Sequence, residues 1–333
     1  MPTIQYDVLG LGNAIVDVIA QTDDAFLIAN ALHKGSMRLI DEPEAERLYA
    51  AMGPATIVSG GSVANSIVGV ASLGGRGAYI GKVRDDEVGG HFRHDIGAMG
   101  IHFPTVAATD GPATARSFIL VTPDGERTMN TYLGACTNLT PADIDRATVE
   151  ASAFVYLEGY LWDRDDAKQA FRVAADMAHA AGRKVAMTLS DSFCVDRFRG
   201  EFLDLMRSGK LDIVFANESE LKSLYETSDF DSAVSALRNE GVLGAVTRSE
   251  HGCLVVTREE TRAVEASPVD TIVDTTGAGD LFAAGFLFGL ARGFDGPTCG
   301  QLGGLAAAEV IQHIGARPQV ELRQLARDNG LPV

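Results

Sequence analysis

Near its C-terminal end the chain runs Val273-Asp274-Thr275-Thr276-Gly277-Ala278-Gly279-Asp280 directly into the apolar stretch LFAAGFLFGLAR. A small-residue turn that opens into a helix leaves several backbone N–H groups unpaired and pointing forward. Together with the positive end of the helix dipole, they form a seat for an anion. Asp280 stands at the mouth of that seat. A carboxylate there would repel a bound phosphate unless it takes a proton from the nucleophile attacking that phosphate. The pattern fits phosphoryl transfer to a hydroxyl, with Asp280 as base and Gly277, Ala278 and Gly279 as the anion hole. The same residues also make an ordinary N-cap and tight turn.

Three further groups could serve such chemistry. Asn217 and Glu220 follow the apolar run DIVFA, at the C-terminal end of an expected strand, where open α/β sheets bind ligands. They could hold water around a phosphate-bound Mg²⁺, and they equally fit a capping box. Asp17 lies within an apolar stretch, where a carboxylate needs partners that a sugar diol can supply. Gly60-Gly61 separates an expected strand from a helix starting near Ser62, as a plain turn would or a ligand-binding turn. Other motifs fail on spacing. Gly10-Leu11-Gly12 begins a dinucleotide fingerprint, but Ile15 replaces the third glycine, which removes a nicotinamide dehydrogenase. Gly81-Lys82 lacks both the earlier P-loop glycine, replaced by Arg76, and the following hydroxyl residue, replaced by Val83. His91 and His94 have no third ligand in view and read as surface histidines.

The elements that must position these residues alternate. Strands are expected at Tyr6–Leu11, Thr56–Ser59, Gly77–Gly81, Ser117–Thr122, Ala153–Leu157, Lys184–Leu189, Ile213–Ala216, Gly244–Thr247 and Cys253–Thr257. Helices are expected at 62–73, 87–99, 166–181, 200–208, 217–226 and 230–240. This repetition predicts an α/β fold with a mostly parallel central sheet flanked by helices. The prolines at 104, 112 and 123 and the segment PDGER predict a hairpin turning at Asp124-Gly125. With no Gly/Ser-rich linker, the expectation is one domain over 1–333, with a small β lid from parts of 14–45 and 103–135.

The chain carries 45 acidic and 28 basic residues, a net charge of −17. That balance opposes binding to a nucleic acid polymer or an anionic membrane, while a single nucleotide needs only a few local donors. Four scattered cysteines with no CxxC fit reduced thiols and a cytoplasmic location. The opening MPTIQYDVLGLGNAIVDVIA has no basic n-region and reads as a first strand, not a signal peptide. The longest apolar run, 281–291, is too short to span a bilayer.

GNAIVD at 12–17, SGGSVANS at 59–66, NESE at 217–220 and DTTGAGD at 274–280 together resemble the ribokinase-like family of carbohydrate and nucleoside kinases. The resemblance spans nearly the whole chain and is nearest the adenosine kinase branch, whose last helix AAAEVIQHIG (306–315) resembles. It implies an ATP-dependent kinase acting on the 5′-hydroxyl of adenosine, with Asp280 as base and the amides of 277–279 as anion hole. Asn217 and Glu220 would organise Mg²⁺ through water, and Thr247 and Gly252 would border ATP. Asp17, Gly61 and Asn65 would bind the ribose hydroxyls, with Asn13 near the base. Arg127 would approach the γ-phosphate from the hairpin, or be a solvent-exposed hairpin arginine. Ile15, Met37, Leu39, Tyr160, Leu161 and Trp162 would wall the purine, or belong to the core. The resemblance admits a monovalent cation (K⁺) near 274–276, and either a monomer or a homodimer. Thr276, where this branch often carries Asn, and Glu158, a carboxylate beside the expected purine wall, depart from the pattern. The alternative acceptor is a free sugar such as ribose or fructose. A nucleoside-binding protein without catalysis fits less well, because every catalytic role has a residue.

Overall fold

Runs rich in Val, Ile and Leu become strands buried on both faces, and the amphipathic stretches between them become the covering helices. The computed structural model describes residues 2–333. In chain order the strands are β1 (Tyr6–Leu11), β2 (Ile15–Gln21), β3 (Met37–Leu39), β4 (Ala55–Ser59), β5 (Gly77–Ile80), β6 (Ala115–Val121), β7 (Arg127–Tyr132), β8 (Ser152–Glu158), β9 (Lys184–Thr188), β10 (Ile213–Asn217), β11 (Leu243–Thr247), β12 (Cys253–Val256) and β13 (Thr261–Val264). The helices are α1 (Asp24–Ala29), α2 (Glu42–Ala51), α3 (Ser62–Ser72), α4 (Glu87–Ala98), α5 (Arg146–Glu150), α6 (Asp165–Ala180), α7 (Ser192–Arg207), α8 (Glu218–Leu224), α9 (Phe230–Glu240), α10 (Ala278–Ala291), α11 (Gly296–Val310) and α12 (Leu322–Asp328).

Eight strands form the central sheet in the order β13-β12-β11-β10-β9-β8-β1-β5. All neighbours from β5 to β11 are parallel, and β12 and β13 add an antiparallel edge. Strand alternation divides the core between two faces. Leu9 and Leu11 join Val155, Phe171 and Phe202 on the side of α6 and α7. Val8 joins Ile67, Tyr79 and Phe286 on the side of α3 and α10. The apolar stretch 281–291 is therefore a core helix, α10, packed between α3 and α11. Among the described residues no helix is long and apolar enough to cross a membrane.

A second sheet of five strands runs β3-β7-β6-β2-β4. Its β6–β7 hairpin closes through Thr122 and Glu126, with Asp124-Gly125 at the tip. One face is covered by α1 and α2, which bury Val18, Ala20, Leu27, Leu48, Phe118 and Leu120. The opposite face is partly open, with Met37, Leu39 and Val58 exposed and Ile119 buried. Pairing and alternation place Asp17, Val58, Ile119, Met129, Met37 and Arg127 on it, and Leu39 follows two residues after Met37.

Two boundaries differ from the sequence reading. Helix α7 begins at Ser192, eight residues before expected, because Asp191 caps it by accepting from the Cys194 amide (2.6 Å). The segment 306–315 does not stay helical. Helix α11 ends at Val310, and the chain turns back to the loop before α10, with Val273 N–H bonded to Ile311 O and Gly315 at φ +105°. That return carries Arg317 into the cleft between the two sheets.

Candidate active site

The anion seat is built at the start of α10. Gly277 is the N-cap in a left-handed conformation (φ +83°), and a β-carbon there would lie 2.7 Å from Ala316 Cα. Any other residue would be both strained and obstructed. No side chain caps this helix. The Ala278 amide donates to Thr275 O (3.2 Å), while among the described residues the Gly277 and Gly279 amides have no acceptor. One turn in, Asp280 accepts from Ser62 Oγ (2.7 Å) and Asn65 Nδ2 (3.0 Å), both on α3. Burial raises its pKa to about 6, although the two hydrogen bonds pull the other way. It is thus ionised at neutral pH and only weakly reluctant to take a proton.

Helix α3 must therefore be fixed. Its N-cap is Gly61 (φ +93°), which has no side chain to cap the first turn, and a β-carbon there would stand 2.2 Å from Asn13 O. The missing cap comes from another strand. Glu158, at the end of β8 and 1% exposed, accepts from the Val63 amide (3.1 Å), the Asn13 amide (3.2 Å) and Asn13 Nδ2 (2.6 Å). One carboxylate ties the end of β1 to the start of α3 and β8. Burial lifts its pKa to about 7 despite these donors.

Asp17 reaches into the cleft from β2 and lies against Gly60, where a β-carbon would meet Asp17 Oδ2 at 2.4 Å. Among the described residues its carboxylate has no hydrogen-bond donor. Burial raises its pKa to about 7, with the Arg317 and Arg127 charges opposing the rise. A carboxylate left without donors beside Gly61 and Asn65 is suited to a diol. Asp17→Ala should weaken acceptor binding about 10–100-fold, the worth of a charge-assisted hydrogen bond. Calorimetric titration checks this, and an unchanged Kd would remove the contact.

Arg127 is held in place and is not a solvent-exposed hairpin arginine. Its guanidinium ion-pairs with Asp274 and donates to Thr276 Oγ1 (3.2 Å), with further N–H donors remaining. Asp274 is otherwise engaged by the Thr276 amide (3.0 Å), Thr276 Oγ1 (2.7 Å) and the Gly315 amide (2.9 Å). These four contacts occupy both oxygens of Asp274. The ion pair also fixes the orientation of the second sheet. Because Arg127 reaches Asp274, the open face that carries Asp17, Met37 and Met129 looks onto the anion-seat loop.

Asn217 and Glu220 form a reciprocal capping box at the start of α8, with Glu220 N–H on Asn217 Oδ1 (2.9 Å) and Asn217 N–H on Glu220 Oε2 (3.0 Å). Burial raises the Glu220 pKa to about 7. Both residues line a cavity of about 90 Å³ with Thr247, Ser62, Gly279 and Asp280. Each Glu220 oxygen keeps a lone pair beyond the cap, so the pair fits a hydrated Mg²⁺ held through water. Gly252 lies in the turn before β12, outside that lining. A larger cleft of about 390 Å³, lined by Phe230, Arg238 and Arg248, contains neither Asp280 nor the glycine turn.

The candidates for the purine wall fall in separate places. Trp162 is fully buried against Phe171 and Phe202, and Leu161 shares that core on the α6–α7 side. Tyr160 is pinned by its hydroxyl, which donates to Ser190 O (3.3 Å). Ile15 packs with Ala115 and Cys136. Met37 and Leu39, by contrast, are 43% and 51% exposed on the open face of the second sheet. The residue the sequence reading missed is Arg317, whose only signal was a basic residue after the glycine at 315.

The pfkB family carbohydrate kinase profile matches residues 39–323. The solved adenosine kinase from Sinorhizobium meliloti is 57% identical, with TM-score 0.92 over 98% of this chain and 99% of that one. The solved probable sugar kinase protein from Rhizobium etli CFN 42 is 52% identical, with TM-score 0.94 over 99% and 100%. A probable chloroplastic fructokinase-6 from Arabidopsis thaliana is 30% identical over 270 residues, 78% of this chain and 69% of that protein. The matched region takes in both α3 and the glycine turn that hold Asp280, and the chain belongs to the pfkB family of carbohydrate kinases.

Proposed function

We propose that the chain transfers the γ-phosphoryl group of ATP to the 5′-hydroxyl of adenosine. The observation that carries this reading is the open apolar face of the second sheet. Met37, Leu39 and Met129 continue outward from Asp17, the candidate diol ligand, on the side that looks onto the anion seat. A free sugar leaves such a surface uncovered, whereas a purine attached to the ribose would lie on it. The likeness to the Sinorhizobium meliloti adenosine kinase supports the same acceptor. The likeness to the probable sugar kinase from Rhizobium etli keeps a sugar as the second reading.

In this reading Asp280 accepts the proton of the attacking hydroxyl while Ser62 and Asn65 hold its carboxylate in line. The Gly277 and Gly279 amides receive the charge that builds on the transferring phosphoryl, and the Ala278 amide contributes less because Thr275 O already engages it. Asn217 and Glu220 would hold Mg²⁺ through water, and the ion would neutralise charge on the donor phosphates. Thr247 would border the donor nucleotide. Arg127 acts by latching the second sheet to the anion-seat loop, which keeps water away from the phosphoryl group.

The test is ADP release with ATP and Mg²⁺ over a panel of adenosine, other nucleosides, ribose and fructose. Turnover of adenosine at least a hundredfold above the sugars is expected. Turnover confined to a free sugar would overturn the acceptor and leave Asp280 and the anion seat in place.

A further inference from the structure

Asn65 is an amide, and an amide has a donating and an accepting end. Only the donating end is useful to a carboxylate base. In the cleft Asn65 Nδ2 donates to Asp280 (3.0 Å), while Asn65 Oδ1 accepts from Arg317 Nε (3.3 Å). A guanidinium has donors and no acceptor, so Arg317 can face only the oxygen of Asn65. An ionised Asp280 only accepts and Arg317 only donates, so the two select the same amide orientation from opposite ends. Were position 317 apolar, Asp280 alone would hold the amide, and a protonated Asp280 could let it turn.

The charge of Arg317 falls on the groups around Asp280, while its link to Asp280 itself runs through Asn65. Asp280 shares its surroundings with Asp17 from β2 and Glu158, Tyr156 and Tyr160 from β8 and the turn after it. Arg317 and Arg127 of β7 are the cations facing Asp17, and the Arg317 charge is also felt by Asp95 of α4 and by Tyr79 of β5. Arg317 Nη2 is buried without a hydrogen-bond partner. A cation held there against its own desolvation indicates a role beyond packing.

We propose that Arg317 is a positioning residue for phosphoryl transfer, orienting Asn65 so that its amide nitrogen holds Asp280 ionised and in line. The inference rests on Asp280 being the base. Arg317→Met, Arg317→Lys, Asn65→Ala and the double variant Asn65→Ala/Arg317→Met would be assayed from pH 5 to 9 with whichever acceptor the wild-type enzyme turns over. Thermal melts would serve as the folding control. Arg317→Met should lower kcat about tenfold and move the acid limb upward by about half to one pH unit. Arg317→Lys should bring the acid limb back, since it restores a charge and a donor. In the Asn65→Ala background the Met substitution should cost less than about threefold, because the route through the amide is already gone. Wild-type kcat and acid limb in a folded Arg317→Met enzyme would overturn the proposal, as would fully additive losses in the double variant. If Asp280→Asn keeps its activity, the base assignment itself fails. Loss of activity in Asp280→Asn with a normal Arg317→Met enzyme would sink the Arg317 inference alone.

Discussion

Asp280→Asn should lower kcat by about 10²–10⁴-fold, roughly 3–5 kcal/mol of transition-state stabilisation, and leave acceptor Kd within about threefold. The side chain keeps its size and its place between Ser62 and Asn65 but can no longer receive a proton. Its oxygen can keep accepting from Asn65 Nδ2, and its nitrogen can donate to Ser62 Oγ, whose hydroxyl turns to accept. The loss should therefore appear in kcat, since the contact matters most when the hydroxyl gives up its proton. The wild-type pH profile supplies an independent check. A carboxylate raised to about 6 is ionised above that pH and protonated below it. Activity should accordingly be on its plateau at pH 7–8 and fall tenfold per unit below about pH 6. Asp280→Asn should lose that limb. A variant that retains a tenth of wild-type kcat, or an unaltered acid limb, would take Asp280 out of the role.

Most of what the sequence revealed follows from local chemistry. A glycine turn before an apolar helix announces an anion seat, because its backbone conformation is available to few other residues. Alternating βα units announce a parallel sheet for similarly local reasons. Asp17 could be singled out because a carboxylate among apolar neighbours needs an explanation wherever the chain goes. What stayed hidden depends on contacts between distant segments. Glu158 reads as an anomaly in an apolar run until β1 and α3 bring it three N–H donors from Asn13 and Val63. Trp162 looks like a ligand platform until α6 and α7 close over it with Phe171 and Phe202. Arg127 has no visible partner until the second sheet brings it to Asp274. Arg317 is only a basic residue after a glycine, because its meaning comes from Asn65, 252 residues away. The strands β2, β3 and β7 were difficult for a related reason. They form a sheet with one open face, so their hydrophobic pattern is weaker than that of strands buried on both sides.

Glu158→Ala should destabilise the protein by about 3–5 kcal/mol, visible as a lower urea midpoint with little change in slope. The truncation leaves two backbone amides and one side-chain amide in a buried site without their acceptor, and each such donor costs about 1–3 kcal/mol. It also uncaps α3, whose Gly61 has no side chain to compensate. Glu158→Gln separates the loss of partners from the loss of charge. Its oxygen can still serve the Asn13 and Val63 amides, and the Asn13 side chain can turn to accept from the new nitrogen. The sign of the pH dependence follows from the direction of the shift. In the folded protein Glu158 holds a proton up to about pH 7, well above its unfolded value. The folded state therefore binds more protons than the unfolded state between roughly pH 4.5 and 7, and this group's contribution to stability falls as pH rises through that window. Glu158→Gln cannot titrate, so its stability should drop less than that of wild type between pH 5.5 and pH 8. At pH 8 it should match or exceed wild type, while Glu158→Ala remains weaker at both. If the Ala variant unfolds at the wild-type urea concentration, the three donors have found other acceptors, and Glu158 is not what fixes the start of α3 beneath Asp280.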